Sequence, residues 1–189
     1  MKKNLILLLL FFSSSLFAEC EPQRAECESR LLGREMFTYV EIGGAALFVG
    51  QKSETSPAIG IGRRYCTPYS AIDVSFHILP GDNGVFLYST PRILYLHYFE
   101  PEAFNSLYAG GGLSYSGMKG AKQKDSEGEK IERKSFNGVA AELVLGYEFC
   151  RQSYLRPFAQ ITLTQALIAT NRKGDFPSPA IAAYLGAGF

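Results

Sequence analysis

The residues best suited to chemistry in this chain alternate along one short stretch, SAIDVSFHIL at 70–79. Asp73, Ser75 and His77 share one parity, and residues of one parity lie on the same face of a β-strand. Acyl transfer uses a serine nucleophile, a histidine base and an acid that orients the histidine. The stretch therefore allows a catalytic triad, although a hydrogen-bonded histidine that fills a polar interior is the favoured interpretation.

A second set of chemically capable residues consists of six charges on the polar parity of otherwise apolar segments. These are Glu41, Arg64, Asp73, Arg92, Glu142 and Glu148. If that face is enclosed, each charge needs a partner, because an isolated buried charge is strongly destabilising. We expect Arg92 and Glu142 to pair near mid-depth, with Glu41, Arg64 and Asp73 nearer one rim. A salt-bridged plug is the favoured interpretation, and a gated ion path is the alternative.

Other site signatures point away from cofactors and nucleic acid. The glycine clusters at 60–62 and 110–112 lie inside apolar alternation with no following helix, so they do not resemble a phosphate-binding loop. No metal-ligand spacing is present in the sequence, and the formal net charge is +1. The sequence therefore predicts no cofactor, no metal and no nucleic-acid partner.

The elements that position these residues are segments of alternating apolar and polar residues, which is the β-strand period. Eight such segments follow one another: 37–50, 58–65, 70–79, 85–99, 107–117, 136–149, 157–169 and 179–189. Pro91 predicts a bulge or an interrupted ladder, and it leaves the register of its strand open. The even count and near-ten-residue lengths predict an all-β, eight-stranded antiparallel up-and-down transmembrane barrel at 37–189.

The residues before the barrel have a different character. Residues 1–18 carry two lysines, an apolar run and a small, polar exit, which together predict a signal peptide. Residues 19–36 are charged and lack alternation, so we expect a short periplasmic leader. No later apolar run approaches the length of a membrane helix.

The connections between the predicted strands differ on the two sides. If the leader is periplasmic, the links at 51–57, 80–84, 118–135 and 171–179 face outward. The short links at 66–69, 100–106 and 150–156 then face the periplasm. Outer-membrane barrels show this asymmetry, with longer loops outside and short turns inside.

The last eleven residues, PAIAAYLGAGF, place Ile181, Ala183, Leu185, Ala187 and Phe189 on one apolar face. This ending and the alternation over 37–189 resemble the small eight-stranded bacterial outer-membrane barrels, such as the OmpA transmembrane domain and OmpX-like, porin-like cell-envelope proteins. The resemblance implies the bacterial outer membrane and contact with its lipid. A soluble lipocalin-like barrel is the alternative, but that class usually has a tryptophan near its first strand, and this chain has none.

Some outer-membrane barrels modify lipid A, and this possibility depends on the two histidines. Neither His77 nor His97 has a serine two residues later, the spacing found in the outer-membrane deacylases. The sequence therefore favours a protein that is not an enzyme.

The four cysteines, Cys20, Cys27, Cys66 and Cys150, all fall on the periplasmic side of this topology. The periplasm is oxidising, so we expect disulfides within the leader and turns or cross-links to neighbouring envelope proteins. An envelope of the chlamydia-like kind, held together by disulfides, would suit this pattern.

The sequence therefore predicts a non-catalytic barrel with a structural or surface-contact and adhesion role. The polar loop 118–135 is the expected surface for a host or surface ligand. A narrow pore for ions or small solutes is the alternative, and a lipid-modifying outer-membrane enzyme is the second alternative.

Overall fold

The computed structural model describes residues 36–49, 52–80, 86–119, 135–169 and 179–189, which belong to a compact unit at Glu35–Phe189. The predicted signal peptide at 1–18 lies outside these residues, as does the predicted leader up to its last residue. Both stay predictions. Among the described residues, no helix is long and apolar enough to span a membrane.

Eight antiparallel strands form one closed barrel, in which each strand pairs with its neighbours in sequence. The strands are β1 (Met36–Val49), β2 (Lys52–Cys66), β3 (Ser70–Pro80), β4 (Phe86–Tyr98), β5 (Ser106–Lys119), β6 (Ser135–Glu148), β7 (Arg156–Ala169) and β8 (Ala180–Gly188). The predicted fold class is therefore confirmed. Closure leaves no free sheet edge, which is the condition for a sheet to cross a membrane.

The C-terminal strand closes the barrel against the first strand. β8 pairs with β1 from Leu47↔Ala180 to Tyr39↔Gly188. Beyond that ladder, the amide of Phe189 donates to the Thr38 carbonyl over 2.8 Å, and the Thr38 amide donates back over 3.2 Å. The terminal residue is thus held by two hydrogen bonds, and the strand predicted at 179–189 is confirmed.

Two of the predicted links lose more than one residue to the neighbouring strands. The link predicted at 51–57 lies almost entirely inside β2, which begins at Lys52. The residues from Lys52 to Ala58 pair with β1, whereas the β2–β3 register starts at Ile59. Pro57 is tolerated there because no β3 residue is registered opposite it. The link predicted at 118–135 is also shorter, since β5 extends to Lys119 and β6 starts at Ser135.

The bulge predicted at Pro91 is confirmed. The β3–β4 register shifts between Ser75 and His77, and the β4–β5 register shifts between Ser89 and Arg92. After the shift, Arg92 faces the interior and is 2% exposed. The bulge therefore determines which side chains of β4 point into the lumen from Arg92 onward.

Both faces of the barrel wall follow the alternation. Outward side chains are apolar and exposed, such as Ile42 at 64% and Leu143 at 60%. Exposed aromatic residues gather where the strands meet the short connections 67–69, 99–105 and 149–155, which we call the short-turn end; they include Tyr65, Tyr95, Phe99, Tyr147 and Phe189. An apolar outer wall with aromatic residues near its end is the surface that lipid requires.

Candidate functional site

All six predicted lumen charges point into the barrel and are almost fully buried. Their exposed fractions range from 0% for Arg64 and Glu148 to 4% for Glu142. A seventh charge, Arg156, is 7% exposed and was missed, because it was assigned to the link at 150–156. It is in fact the first residue of β7, and it shares the inward parity of Phe158. That parity was the available signal.

The first group of charges surrounds Arg64 near the short-turn end. Arg64 Nε donates to Asp73 Oδ2 over 3.0 Å, and its Nη1 donates to Glu148 Oε2 over 3.2 Å. The hydroxyl of Tyr39 donates to Asp73 over 2.8 Å, and that of Tyr98 donates to Glu148 over 2.7 Å. We call these five residues the Arg64 cluster. Each carboxylate in it is paired and hydrogen-bonded, which offsets the cost of burying its charge.

Aromatic rings enclose the guanidinium of Arg64. Its central carbon lies 5.0 Å from the ring centres of Tyr108 and Phe158, 5.3 Å from Tyr39 and 5.6 Å from Phe37. These distances are within the range of cation–π attraction, which strengthens where water is excluded. The arginine is therefore held in the interior of the barrel by rings from several strands.

Glycines on neighbouring strands make room for these rings. Tyr39 is registered opposite Gly62, and Tyr108 is opposite Gly146. A Cβ atom at Gly62 would also meet Ser75 Cβ at 2.7 Å, which is too close for a real contact. The glycines at 60–62 thus provide space for lumen side chains, as the sequence indicated when it argued against a phosphate loop.

The second group of charges lies around Arg92, and we call Glu41, His77, Arg92, Glu142 and Gln160 the Arg92 cluster. The Nε2 of His77 donates to Glu41, and Arg92 Nη1 lies 3.2 Å from the other ring nitrogen, Nδ1. Gln160 Nε2 donates to the second oxygen of Glu41 over 2.6 Å. Glu41 was expected nearer the rim, with Arg64. It belongs to this cluster instead. Glu41 of β1 and His77 of β3 are both registered opposite Gly60 of β2, and because glycine has no side chain, the two side chains can meet across it.

Arg92 and Glu142 do approach each other, at the limit of an ion pair. Arg92 Nε lies 4.0 Å from Glu142 Oε2, with both side chains at most 3% exposed. Glu142 accepts shorter hydrogen bonds from Ser114 at 2.7 Å and Thr164 at 3.1 Å. Arg92 therefore contacts the histidine more closely than its predicted acidic partner.

The possible triad is not assembled. Asp73 contacts Arg64 and Tyr39, and His77 contacts Glu41 and Arg92, although all these residues face the lumen. Among the residues that the structure describes, the hydroxyl oxygen of Ser75 is buried without a hydrogen-bond partner. A serine must lie within hydrogen-bond reach of its base to be activated. The observed contacts instead match the interpretation of His77 as a hydrogen-bonded filler. His97 faces outward and packs against Phe99 with ring centres 5.7 Å apart.

One amide joins the two clusters. The hydroxyl of Tyr108 donates to Gln160 Oε1 over 2.8 Å, while Gln160 Nε2 donates to Glu41. Tyr108 in turn packs on Arg64. Two hydrogen bonds and one cation–π contact therefore join the two clusters inside the lumen.

The described cysteines lie at the short-turn end. Cys66 carries a free thiol and is half-buried. Cys150 is 3% exposed and has a positive φ of 52°, and its amide donates to Asn105 Oδ1 over 3.0 Å. Cys150 is disulfide-bonded, so it offers no thiol for a cross-link to another protein. Cys20 and Cys27 lie outside the described residues, and their predicted disulfides stay predictions.

A metal site would require several ligand side chains close together. In the described part of the chain, no three His, Cys, Asp or Glu side chains are grouped as a metal site would require. The acids of the lumen are instead committed to arginine, histidine and hydroxyl partners.

Comparison with known proteins supports the fold. No protein-family profile and no curated protein sequence matches the chain. Neisserial surface protein A is similar in structure, with a TM-score of 0.62 and 11% identity over 82% of this chain and 94% of that protein. The N-terminal barrel domain of OprF from Pseudomonas aeruginosa gives a TM-score of 0.52 and 13% identity over 82% and 98%.

A third similar structure is Ail, the attachment invasion locus protein of Yersinia pestis, in complex with the heparin analogue sucrose octasulfate. Its TM-score is 0.51, with 17% identity over 82% of this chain and 97% of Ail. None of the three neighbours supports a chlamydia-like origin. The closed barrel, its lipid-compatible outer wall and these neighbours show that the chain has the fold of the small bacterial outer-membrane barrels.

Proposed function

We propose that the protein is a non-conducting, non-catalytic barrel of the bacterial outer membrane that maintains the envelope or presents its loops for surface contact. The observation that carries this proposal is the set of hydrogen bonds, ion pairs and cation–π contacts that joins the two clusters inside the lumen. Near the short-turn end, Arg64 has no exposed surface and two carboxylate partners. A barrel of eight strands is narrow enough for such side chains to fill it.

The contacts of His77 support the non-catalytic assignment. Both ring nitrogens are engaged, one with Glu41 and the other with Arg92. A lipid-modifying enzyme also needs its reactive groups where lipid can reach them. Asp73, Ser75 and His77 lie inside the wall, at most 5% exposed.

Surface contact is assigned to the end opposite the short turns, where the loop 118–135 would lie outside the cell. Its residues 120–134 mix lysine, arginine and acid, which suits a soluble surface. Two of the similar structures bear names that refer to the surface or to attachment, and one was determined with a heparin analogue. We infer that a host or surface ligand, of a kind still to be identified, contacts this loop.

Planar-bilayer recording tests the main claim. The refolded chain should show no steady conductance under conditions where a general porin conducts. Steady single-channel steps would overturn the plugged lumen. Lipid A from cells that express the protein should keep its mass, and a shift absent from Ser75→Ala and His77→Phe cells would overturn the non-catalytic assignment.

Binding assays test surface contact. Cells that display the protein should bind host cells or sulfated glycan more strongly than cells in which a Gly-Ser linker replaces 120–134. Equal binding at equal surface display would exclude the loop as the contact surface. A gene deletion that sensitises cells to detergent would favour the structural role.

A narrow pore is the second candidate, and one observation favours it. Arg92 Nε, Arg92 Nη2 and Ser75 Oγ are buried without a hydrogen-bond partner among the described residues. Such groups are commonly satisfied by water, so part of the Arg92 cluster has room for hydration. This alternative would be supported if the wild type shows steady conductance and the Glu142→Ala variant shows a higher one.

A further inference from the structure

We propose that the mouth of the lumen at the short-turn end binds a phosphate group. Three arginines build this site: Arg64 at its base, Arg156 at the start of β7 and Arg151 on the turn 149–155. We call them the arginine mouth. The proposal goes beyond the assigned role of the barrel, because it gives the end away from the surface loops a ligand of its own.

The three arginines share neighbours. Arg64 and Arg156 both reach Glu148, with nitrogen–oxygen distances of 3.2 Å and 3.7 Å, and both guanidinium groups lie over the ring of Phe37. Arg151 lies 3.9 Å from the ring centre of Tyr98, whose hydroxyl donates to that same glutamate. Two of the guanidinium groups therefore reach the carboxylate of Glu148, and the third packs on the tyrosine that donates to it.

Arg151 is fixed in place by main-chain acceptors. Its Nη1 donates to the Pro101 carbonyl over 2.8 Å and to the Glu100 carbonyl over 3.5 Å, and its Nη2 donates to Pro68 over 3.5 Å. Its own amide donates to the Phe104 carbonyl over 2.9 Å. One side chain thus ties the turn 149–155 to the two other short turns. A guanidinium held this way loses little conformational freedom when it binds a ligand.

Three nitrogens of the arginine mouth lack an acceptor. Arg64 Nη2, Arg151 Nε and Arg156 Nε are buried and have no hydrogen-bond partner among the described residues. A buried N–H group without a partner indicates an unseen water or ion. Glu148 Oε1 is likewise buried without a hydrogen-bond partner among the described residues. The buried carboxylates described there are those of Asp73 and Glu148, against three guanidinium groups, so the local charge is positive and favours an anion.

The chemistry of the donors identifies the kind of anion. Arginine presents planar, forked N–H groups that match the oxygens of phosphate, and several arginines together suit its higher charge. The acids on the neighbouring turn do not compete, because Glu100 and Glu102 are exposed to solvent. The phosphate could be free in the periplasm or part of a phospholipid headgroup, since the short-turn end lies beside the inner leaflet.

The test uses the full chain refolded in a maltoside detergent, which contains no phosphate. Inorganic phosphate is titrated against chloride at constant ionic strength, and binding is read from the urea midpoint and from ³¹P line broadening. A parallel titration uses short-chain phosphatidylglycerol. A ligand that binds only the folded state raises the midpoint with concentration.

We expect phosphate to raise the midpoint of the wild type, and Arg156→Gln to weaken binding about tenfold or more through the lost charge-assisted bonds. Arg156→Lys should restore part of the affinity by keeping the charge. Arg63→Gln is the matched control, because Arg63 is exposed on the outer wall. A response to phosphatidylglycerol alone would identify the ligand as a headgroup. No specific response to either probe, or an equal loss in Arg63→Gln, would overturn the proposal.

Discussion

The Arg64 cluster makes a sharp prediction about stability, in which Asp73 is replaced by asparagine. Asparagine keeps the shape of the side chain and can still accept the hydrogen bond from Tyr39. It removes one of the two carboxylates that neutralise Arg64, which is 0% exposed and lies 3.0 Å from Asp73. Removal of one partner from a buried pair costs about 3–5 kcal/mol. Because Glu148 remains at 3.2 Å, we expect about 3 kcal/mol.

Urea unfolding in phospholipid vesicles measures this loss. The chain has no tryptophan and 11 tyrosines, so circular dichroism and tyrosine fluorescence are the suitable signals. With a slope of about 2 kcal/mol per M, a loss of about 3 kcal/mol lowers the urea midpoint by about 1.5 M. The folded fraction is checked independently by the difference in gel migration between unboiled and boiled protein.

Glu102→Gln is the matched control for this experiment, since it makes the same acid-to-amide change on an exposed turn. We expect it to change stability by no more than about 0.5 kcal/mol. The double variant Arg64→Met with Asp73→Asn should lose less than the sum of the single variants, because the unpaired charge is gone. If Asp73→Asn costs no more than Glu102→Gln, or if the single effects add, the ion pair does not stabilise the barrel.

Three further predictions follow from the wall and the connections. Gly62→Ala should lose about 1–3 kcal/mol in the same urea assay, because the added methyl collides with the ring of Tyr39. Gly44→Ala, whose Cβ would have 3.8 Å to its nearest neighbour, should lose less than half as much. Trypsin added to intact cells should cut within 120–134, between β5 and β6, and leave the barrel whole; cleavage only after lysis would invert the topology. Deletion of Phe189 should reduce heat-modifiable barrel at normal secretion, and unchanged assembly would contradict a closing role for that residue.

The face of the sheet on which each side chain lies was the part of the structure that the sequence could predict. A side chain changes face at every residue of a strand, so the alternation around Glu41, Arg64 and Glu142 was enough to turn all three inward. The bulge at Pro91 was predictable for a similar reason, since proline cannot donate to a ladder. Local residue chemistry and a period of two therefore determine both the wall and the orientation of its charges.

Pairing between strands was not predictable in the same way. Glu41 joins the Arg92 cluster because β1 and β3 are both registered on Gly60, and register depends on hairpin geometry rather than on parity. The polar residues before Ala58 were assigned to a turn for the same reason. Their strand structure comes from pairing with β1, which composition does not reveal.

The pairing of bulky lumen residues with glycines has a consequence for how this barrel can be redesigned. Tyr39 faces Gly62, and Phe158 faces Gly186, so volume is set by the facing pair rather than by either strand alone. A ring could be moved across the ladder by exchanging the two members of a pair, with the wall unchanged. An interior that can be refilled pair by pair lets one architecture carry very different amino-acid sequences, and it offers a direct route to hollowing out a selected level of the lumen.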